Sequence, residues 1–327
     1  MRVPRQKGGA AAADAPSRTP HSACSPSCRP NPMTDRCGTV AIIGRPNVGK
    51  STLLNRLLGQ KLAITSHKAQ TTRHAILGVK SRADGQILYV DTPGLHQRGG
   101  NALNRLLNRT ARAALADVDL ILLVVEALRF TDEDAMALDA AADAGPPVLV
   151  AVNKVDQVKD KGALLPYLQQ LSARHDFAEV VPLSARTGDQ VPLLEDQILA
   201  RLPEGARLFP DDQLTDRSER FFAAELLREQ LTRRYAQELP YAVTVEIERF
   251  EDLGGRYLIH AIIWVEREGQ KAIIIGRGGE ALKATATEAR RRMQQMFARP
   301  VHLEVWVKVK SSWSSDDAAL MSLGYGD

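Results

Sequence analysis

Residues 44–51 read Gly-Arg-Pro-Asn-Val-Gly-Lys-Ser, between the apolar run Thr39–Ile43 and a segment of helical periodicity, Lys50–Leu58. The octet fits the pattern G-x-x-x-x-G-K-[ST] without departure, in the strand–loop–helix setting that gives the pattern its meaning. Gly44 and Gly49 let the backbone close around phosphate oxygens. The loop N–H groups and the helix N-terminus supply donors to the anion. Lys50 adds a point charge for the β- and γ-phosphates, and the Ser51 hydroxyl is a ligand for Mg²⁺. The expected phosphate-binding set is Gly44, Arg45, Pro46, Asn47, Val48, Gly49, Lys50, Ser51 and Thr52.

Outward from this loop the chain alternates short runs rich in Val, Ile and Leu with helical segments. The runs are Ala75–Lys80, Gln86–Val90, Asp119–Glu126, Pro147–Val152 and Glu179–Leu183; the helices are Ala102–Ala116, Thr131–Ala144, Ala163–Arg174 and Val191–Arg201. Strands buried on both faces and separated by helices predict an α/β layered, mostly parallel sheet with helices on both faces. Ligands of such sheets bind at the carboxyl ends of the strands, and each further motif falls at such an end.

Asn153-Lys-Val-Asp156 ends one strand. A carboxylate at Asp156 can accept from guanine N1–H and the 2-amino group. Adenine offers neither donor, which leaves the charge unpaired at roughly 1–3 kcal/mol or more. Asn153 is expected to tie neighbouring loops together, Lys154 to cover the base, and Ser184-Ala185 to offer a backbone N–H to guanine O6. Asp91-Thr-Pro-Gly94 ends another strand: Asp91 is a Mg²⁺ ligand, directly or through water, and the Gly94 N–H faces the γ-phosphate. Thr71 and Thr72 lie in the polar segment Thr65–His74, and one of their hydroxyls is the expected second Mg²⁺ ligand. The expected metal set is thus Ser51, Thr71, Thr72 and Asp91. A segment of this kind orders around GTP and relaxes with GDP. After Gly94 stands Leu95, where Ras-type GTPases place a water-orienting glutamine, so no catalytic base is assigned. His67, His74 and His96 read as exposed residues of the flanking loops.

Composition narrows the function classes. The chain has 327 residues, 44% hydrophobic and 25% charged, with a formal net charge of +4. Residues 1–36 hold six Lys/Arg and two Asp/Glu, which accounts for the whole excess, so a polyanionic partner must be argued from local clusters. That segment is poor in large apolar residues and reads as a disordered extension, with Met33 a candidate start and an organellar transit peptide a weaker reading. The three cysteines, Cys24, Cys28 and Cys37, stand near the N-terminus, which excludes a disulfide framework for the folded body. The most apolar run, Leu120–Val125, is strand-sized, far short of a membrane span.

Past a G domain of residues 37–201, residues 202–216 carry Pro203, Gly205 and Pro210 without periodicity and read as a linker. Residues 217–312 give a long helix Arg217–Gln237, strands Ala242–Phe250 and Arg256–Glu266, a short helix near Gln270–Ile274, a helix Glu280–Phe297 and a strand Val301–Val309; residues 313–327 are a tail. In this α-β-β-α-α-β order, Ile275-Gly-Arg-Gly-Gly279 joins two helices. A G-x-x-G loop so placed fits a type II KH domain, an α+β fold that clamps single-stranded nucleic acid. The glycines admit phosphates, Arg277 and Lys283 add charge, and Ile273, Ile274 and Ile275 offer a floor for bases. The RNA-binding set is Ile275, Gly276, Arg277, Gly278, Gly279 and Lys283; Arg290-Arg-Arg292 reads equally as RNA contact or as a solvated helix face.

GRPNVGKS, Thr65-Ser-His-Lys-Ala-Gln-Thr-Thr-Arg-His74, DTPGL, NKVD, Ser184-Ala185 and a KH unit ending Lys308-Val-Lys-Ser-Ser-Trp313 together resemble the Era GTPase family over residues 38–327. The resemblance implies GTP/GDP exchange with Mg²⁺, hydrolysis of GTP, and binding of the 3′ region of small-subunit ribosomal RNA during maturation of the small ribosomal subunit. It also implies a cytoplasmic, monomeric protein with peripheral association at the inner membrane face. GTPases similar to this one that carry asparagine at the place of Asn47 often use K⁺ where others use an arginine finger, which makes Asn47 a suspected K⁺ ligand. Two other readings stand beside this one: an RNA-binding scaffold with negligible hydrolysis, and a GTPase of tRNA modification, for which no catalytic domain is visible.

Overall fold

The computed structural model describes residues 35–65, 72–95, 102–235 and 243–325, and residues 34–327 form one compact unit. In chain order the first domain contains β1 (Arg36–Ile43), α1 (Lys50–Leu58), β2 (Ile76–Arg82), β3 (Gly85–Asp91), α2 (Ala102–Ala113), β4 (Leu120–Glu126), α3 (Asp132–Ala144), β5 (Val148–Asn153), α4 (Leu164–Ser172), β6 (Glu179–Pro182) and α5 (Val191–Leu199). The sheet order is β2-β3-β1-β4-β5-β6, antiparallel between β2 and β3 and parallel elsewhere.

Why the central strands are apolar on both faces is visible in β4. Leu120, Leu122 and Val124 join one core beneath α1 and α5, while Ile121, Leu123 and Val125 join a second core beneath α3 and α4. Side chains alternate across a strand, so a strand covered on both faces buries every residue. Local chemistry sets the helix ends. Thr131 and Asp134 form a capping box at α3, and Ser218 Oγ accepts from Phe221 N–H at the next domain's first helix.

The second domain contains α6 (Glu219–Arg234), β7 (Val243–Asp252), β8 (Tyr257–Val265), α7 (Glu268–Ile275), α8 (Glu280–Phe297) and β9 (Val301–Val309). Its sheet is β7-β8-β9, with β7 antiparallel and β9 parallel to β8. The element order is the one expected, with boundaries displaced by at most a few residues.

Two segments differ from expectation. Residues 202–216 are strapped to the sheet rather than strung between domains. Cys37 N–H donates to Pro203 O at 3.0 Å, and Val79 N–H donates to Leu214 O at 2.8 Å. The fully buried Gln86 amide accepts from Leu208 and Phe209 N–H and donates to Phe209 O. A strap rich in Pro and Gly has no helical or strand ladder, so its backbone groups are satisfied by this edge. The tail also has structure: α9 (Asp317–Ser322) packs Ala319 and Leu320, with Trp313 and Tyr325, against Ala102, Leu103 and Leu107 of α2.

Candidate functional site

The phosphate loop turns from β1 into α1, and its glycines are sterically required. A Cβ on Gly44, at φ +144°, would sit 2.3 Å from Val124 O, and one on Gly49, at φ +107°, would sit 2.3 Å from Asn153 Nδ2. Asn47 takes the left-handed conformation at φ +64°, which asparagine tolerates better than most residues. Lys50 is buried, its ammonium donating to Gly44 O at 2.9 Å and Arg45 O at 3.0 Å. Burial pulls its pKa down to about 8 against the attraction of Asp91. A triphosphate in the loop supplies the negative charge that favours the ammonium.

Three oxygens converge beside it. Ser51 Oγ lies 2.8 Å from Thr72 Oγ1 and donates to Asp91 Oδ2 at 2.9 Å; Thr72 Oγ1 donates to the same carboxylate oxygen at 3.2 Å. Asp91 is fully buried, which raises its pKa to about 6 despite Lys50 and the two hydroxyls, and its Oδ1 has no hydrogen-bond partner. A buried carboxylate oxygen left without a donor, next to two hydroxyls, is the donor set a hard cation takes. Mg²⁺ therefore fits the residues present. Of the two threonines weighed from the sequence, Thr72 is brought to this cluster; Thr71 lies outside the described residues, as do His67 and His96. Gly94 packs on the phosphate loop, since a Cβ there would come 2.9 Å from Pro46 N and 3.0 Å from Lys50 Nζ. Leu95 is 1% exposed and belongs to the core beneath α3. The position that Ras-type enzymes give to a water-orienting glutamine is here committed to packing.

At the base-recognition end, Asn153 does what the sequence suggested. Its Nδ2 donates to Val48 O at 2.8 Å, and its Oδ1 accepts from Lys154 and Ala185 N–H at 2.8 and 2.9 Å, so one buried side chain ties three loops. The backbone of Ser184 and Ala185 is tied into the surrounding loops. Their N–H groups are engaged inside the protein, Ser184 with Asp189 O and Ala185 with Asn153 Oδ1. What Ser184 adds is its hydroxyl, which donates to Asp156 Oδ1 at 2.7 Å and aims that carboxylate. The other oxygen, Asp156 Oδ2, pairs with the largely exposed Arg186, a screened partner.

Glu126, at the end of β4, escaped the sequence reading. Its carboxylate bonds Arg45 of the phosphate loop and lies 3.2 Å from Lys154 Nζ. Burial raises its pKa, but these two cations outweigh burial and hold it below the usual range. Arg45 Nε also donates to the buried Asp134 at 3.0 Å. The signal available was position alone, a charged residue at the carboxyl end of a central strand.

The G-x-x-G loop is built differently. Gly276 is needed for packing, since a Cβ there would lie 2.6 Å from that of Ala281. Gly278 and Gly279, at φ +60° and +81°, face open space. Arg277 and Lys283 are exposed beside them. The apolar floor is corrected: Ile274 is fully buried in the domain core, and Ile273, 42% exposed, is the one presented to solvent. Arg291 and Arg292 both pair with Glu288, which leaves them a mixed-charge face. His74 is not exposed. Burial holds its pKa down, at about 4, so the ring is neutral where it stacks on Tyr325.

The comparisons with known proteins agree with these two sites. A family described as 50S ribosome-binding GTPase matches residues 39–154, and one described as KH domain matches residues 238–314. GTPase Era of Pseudomonas aeruginosa is 56% identical over 296 residues, 90% of this chain and 97% of that one. GTPase Era of Azotobacter vinelandii is 57% identical over 292 residues, 89% and 97% of the two chains. Among solved structures, a point variant of Aquifex aeolicus Era bound to GDP and AlF₄⁻ superimposes with a TM-score of 0.85 at 36% identity, covering 89% of this chain and 99% of the other. An Era complex with MgGDPNP and nucleotides 1506–1542 of 16S ribosomal RNA gives the same score, identity and coverage. A nucleotide site and a clamp loop in this order, with relatives matched over nearly their whole length, place the chain in the Era family of GTPases.

Proposed function

We propose that this GTPase is a switch whose GTP-bound form engages the 3′ region of small-subunit ribosomal RNA through the KH loop and assists maturation of the small ribosomal subunit. The observation that carries the reading is the Ser51–Thr72–Asp91 cluster: Thr72, from a polar segment twenty residues past the phosphate loop, meets Ser51 there beside an unpartnered carboxylate oxygen. The exposed Gly278-Gly279 turn with Arg277 and Lys283 supports RNA as the second ligand. Support for the particular RNA is the Era relative solved with a 16S fragment.

In this reading the phosphate loop and Lys50 bind the β- and γ-phosphates, and the Gly94 N–H faces the terminal one. Asp156, aimed by Ser184, selects guanine, while Asn153 holds the base loop to the phosphate loop and Lys154 covers the base. Ser51, Thr72 and Asp91 hold Mg²⁺, which when bound neutralises phosphate charge and orients the terminal group. Asn47 is the candidate ligand for K⁺. Leu95, buried in the core, offers no group to orient water, so intrinsic turnover is slow and a cation or RNA accelerates it. Single-turnover release of phosphate from GTP, with K⁺ against Na⁺ and with or without an RNA of the 16S 3′ sequence, tests this. Release that neither K⁺ nor RNA changes sinks the switch and favours the scaffold reading.

No helix among the described residues is long and apolar enough to cross a membrane. We take the protein as cytoplasmic and monomeric, with peripheral contact at the inner membrane face. Flotation with anionic liposomes and light scattering of the full chain test those two points.

A further inference from the structure

The segment that carries Thr72 is held from outside its own domain. On its near side, the buried Glu229 of α6 accepts from Thr65 N–H at 3.3 Å and pairs with Lys61. On its far side, Arg73, 3% exposed, donates to Val243 O at 2.9 Å and to Tyr325 Oη at 3.0 Å, with its guanidinium 5.9 Å from the Trp313 ring centre. The His74 ring stacks on Tyr325 at 4.9 Å and meets Phe221 edge-on at 5.6 Å. Tyr325 is itself fixed, since its hydroxyl lies 2.8 Å from the buried Thr244 Oγ1 of β7 and its ring stacks on Trp313.

The same tail residues reach the other nucleotide-sensing segment. Trp313, Ala319, Leu320 and Tyr325 form one buried cluster with Ala102, Leu103 and Leu107 of α2, the helix after the Asp91–Gly94 motif. Thr72 thus stands one residue from a side chain locked by the KH sheet and the C-terminal tail. The linker 202–216, by contrast, is bonded along the G-domain sheet edge.

We propose that Tyr325 is a positioning residue for the nucleotide site: by locking Arg73 and His74 it holds Thr72 at the metal cluster, so the C-terminal tail sets the preference for GTP over GDP. The inference rests on the switch reading above. Thr72 is used only when a γ-phosphate is bound, whereas Lys50, Ser51 and Asp156 serve both nucleotides. Loosening the lock therefore weakens one ligand and spares the other. Coupling between sites is reciprocal, so the tail is also where occupancy of the nucleotide site reaches the KH sheet, through Val243 and Thr244.

The test measures affinity of the full chain for GDP and for a non-hydrolysable GTP analogue, each with Mg²⁺, in the parent and three variants. Tyr325→Ala is expected to weaken the GTP analogue about tenfold and leave GDP within twofold. Tyr325→Phe keeps the ring stack, loses both hydroxyl contacts and falls between. Thr244→Val removes only the KH-side bond to that hydroxyl, far from the nucleotide, and is expected to lower the ratio about threefold; it decides the matter if Tyr325→Ala does not fold. An unchanged ratio in all folded variants, or equal weakening of both nucleotides, overturns the proposal. A parent chain that binds neither nucleotide overturns the switch reading instead.

Discussion

The two ligand loops of this chain are both glycine-rich, and they solve opposite problems. The phosphate loop is enclosed: a Cβ on Gly44 or Gly49 would stand 2.3 Å from a carbonyl or an amide, Lys50 is buried, and Asn153 bonds three loops together. The KH turn at Gly278-Gly279 has nothing within 4 Å of where a Cβ would stand. A triphosphate is small and densely charged, and recognising it takes many converging donors held before it arrives. A nucleic-acid backbone is long and already charged along its length, and a turn that lets it come close needs open space with cations nearby. The same residue type is therefore required for internal packing in one loop and for external access in the other.

That contrast is breakable. Gly44→Ala forces a backbone carbonyl to move and is expected to cost on the order of 3 kcal/mol of stability and to abolish nucleotide binding. Gly278→Ala meets no atom and is expected to cost about 1 kcal/mol, for the left-handed backbone alone. Chemical denaturation of both variants reads the difference, and equal costs contradict the enclosed-versus-open distinction. Gly278→Asp, which puts a carboxylate where phosphates approach, is expected to weaken RNA binding at least about tenfold while GTP affinity stays within twofold. Filter binding with calorimetry on the same preparation separates the two; parallel loss of both ligands shows that the loops are one site.

Asp156→Asn probes how far enclosure extends towards the base. An amide can donate to the 2-oxo group of xanthine and cannot accept two donors from guanine, so preference is expected to move from GTP towards XTP by about tenfold or more. Competition between the two triphosphates measures it, and retained GTP preference removes the assigned role. The smallest effect concerns the seam between the domains. His74 is neutral in the folded chain, its pKa about 4 against an ordinary 6.5. The unfolded chain then binds the extra proton as pH falls below 6.5, so folding stability falls with it. Between pH 7 and 5.5 the loss is about 1 kcal/mol. Denaturation midpoints across that window, with His74→Phe as the control that flattens this contribution, check the sign and the size.

Much of the nucleotide site was legible before any coordinates. The octet at Gly44, the carboxylates at Asp91 and Asp156 and the amide at Asn153 are local patterns whose spacing along strand ends carries the chemistry. Ser184 shows where that reading stops: its neighbours in sequence suggested a backbone donor, and nothing local announces that its hydroxyl reaches Asp156, 28 residues away. Glu126 was invisible for a related reason. Nothing in its own neighbourhood announces that Arg45 and Lys154, distant in sequence on either side, converge on it. The isoleucine run Ile273–Ile275 was over-read, since three adjacent helical residues point in different directions and the middle one entered the core.

Alternation of strands rich in Val, Ile and Leu with helices, and glycine at turns that admit no Cβ, were written in the chain itself, because each depends on residues a few positions apart. The pairing of Arg73 and His74 with Val243 and Tyr325, and the closing of the tail over α2, spans more than 160 residues. No short-range period encodes a contact of that separation. It exists only once two cores have formed and their remaining apolar and hydrogen-bonding groups have to be satisfied against each other.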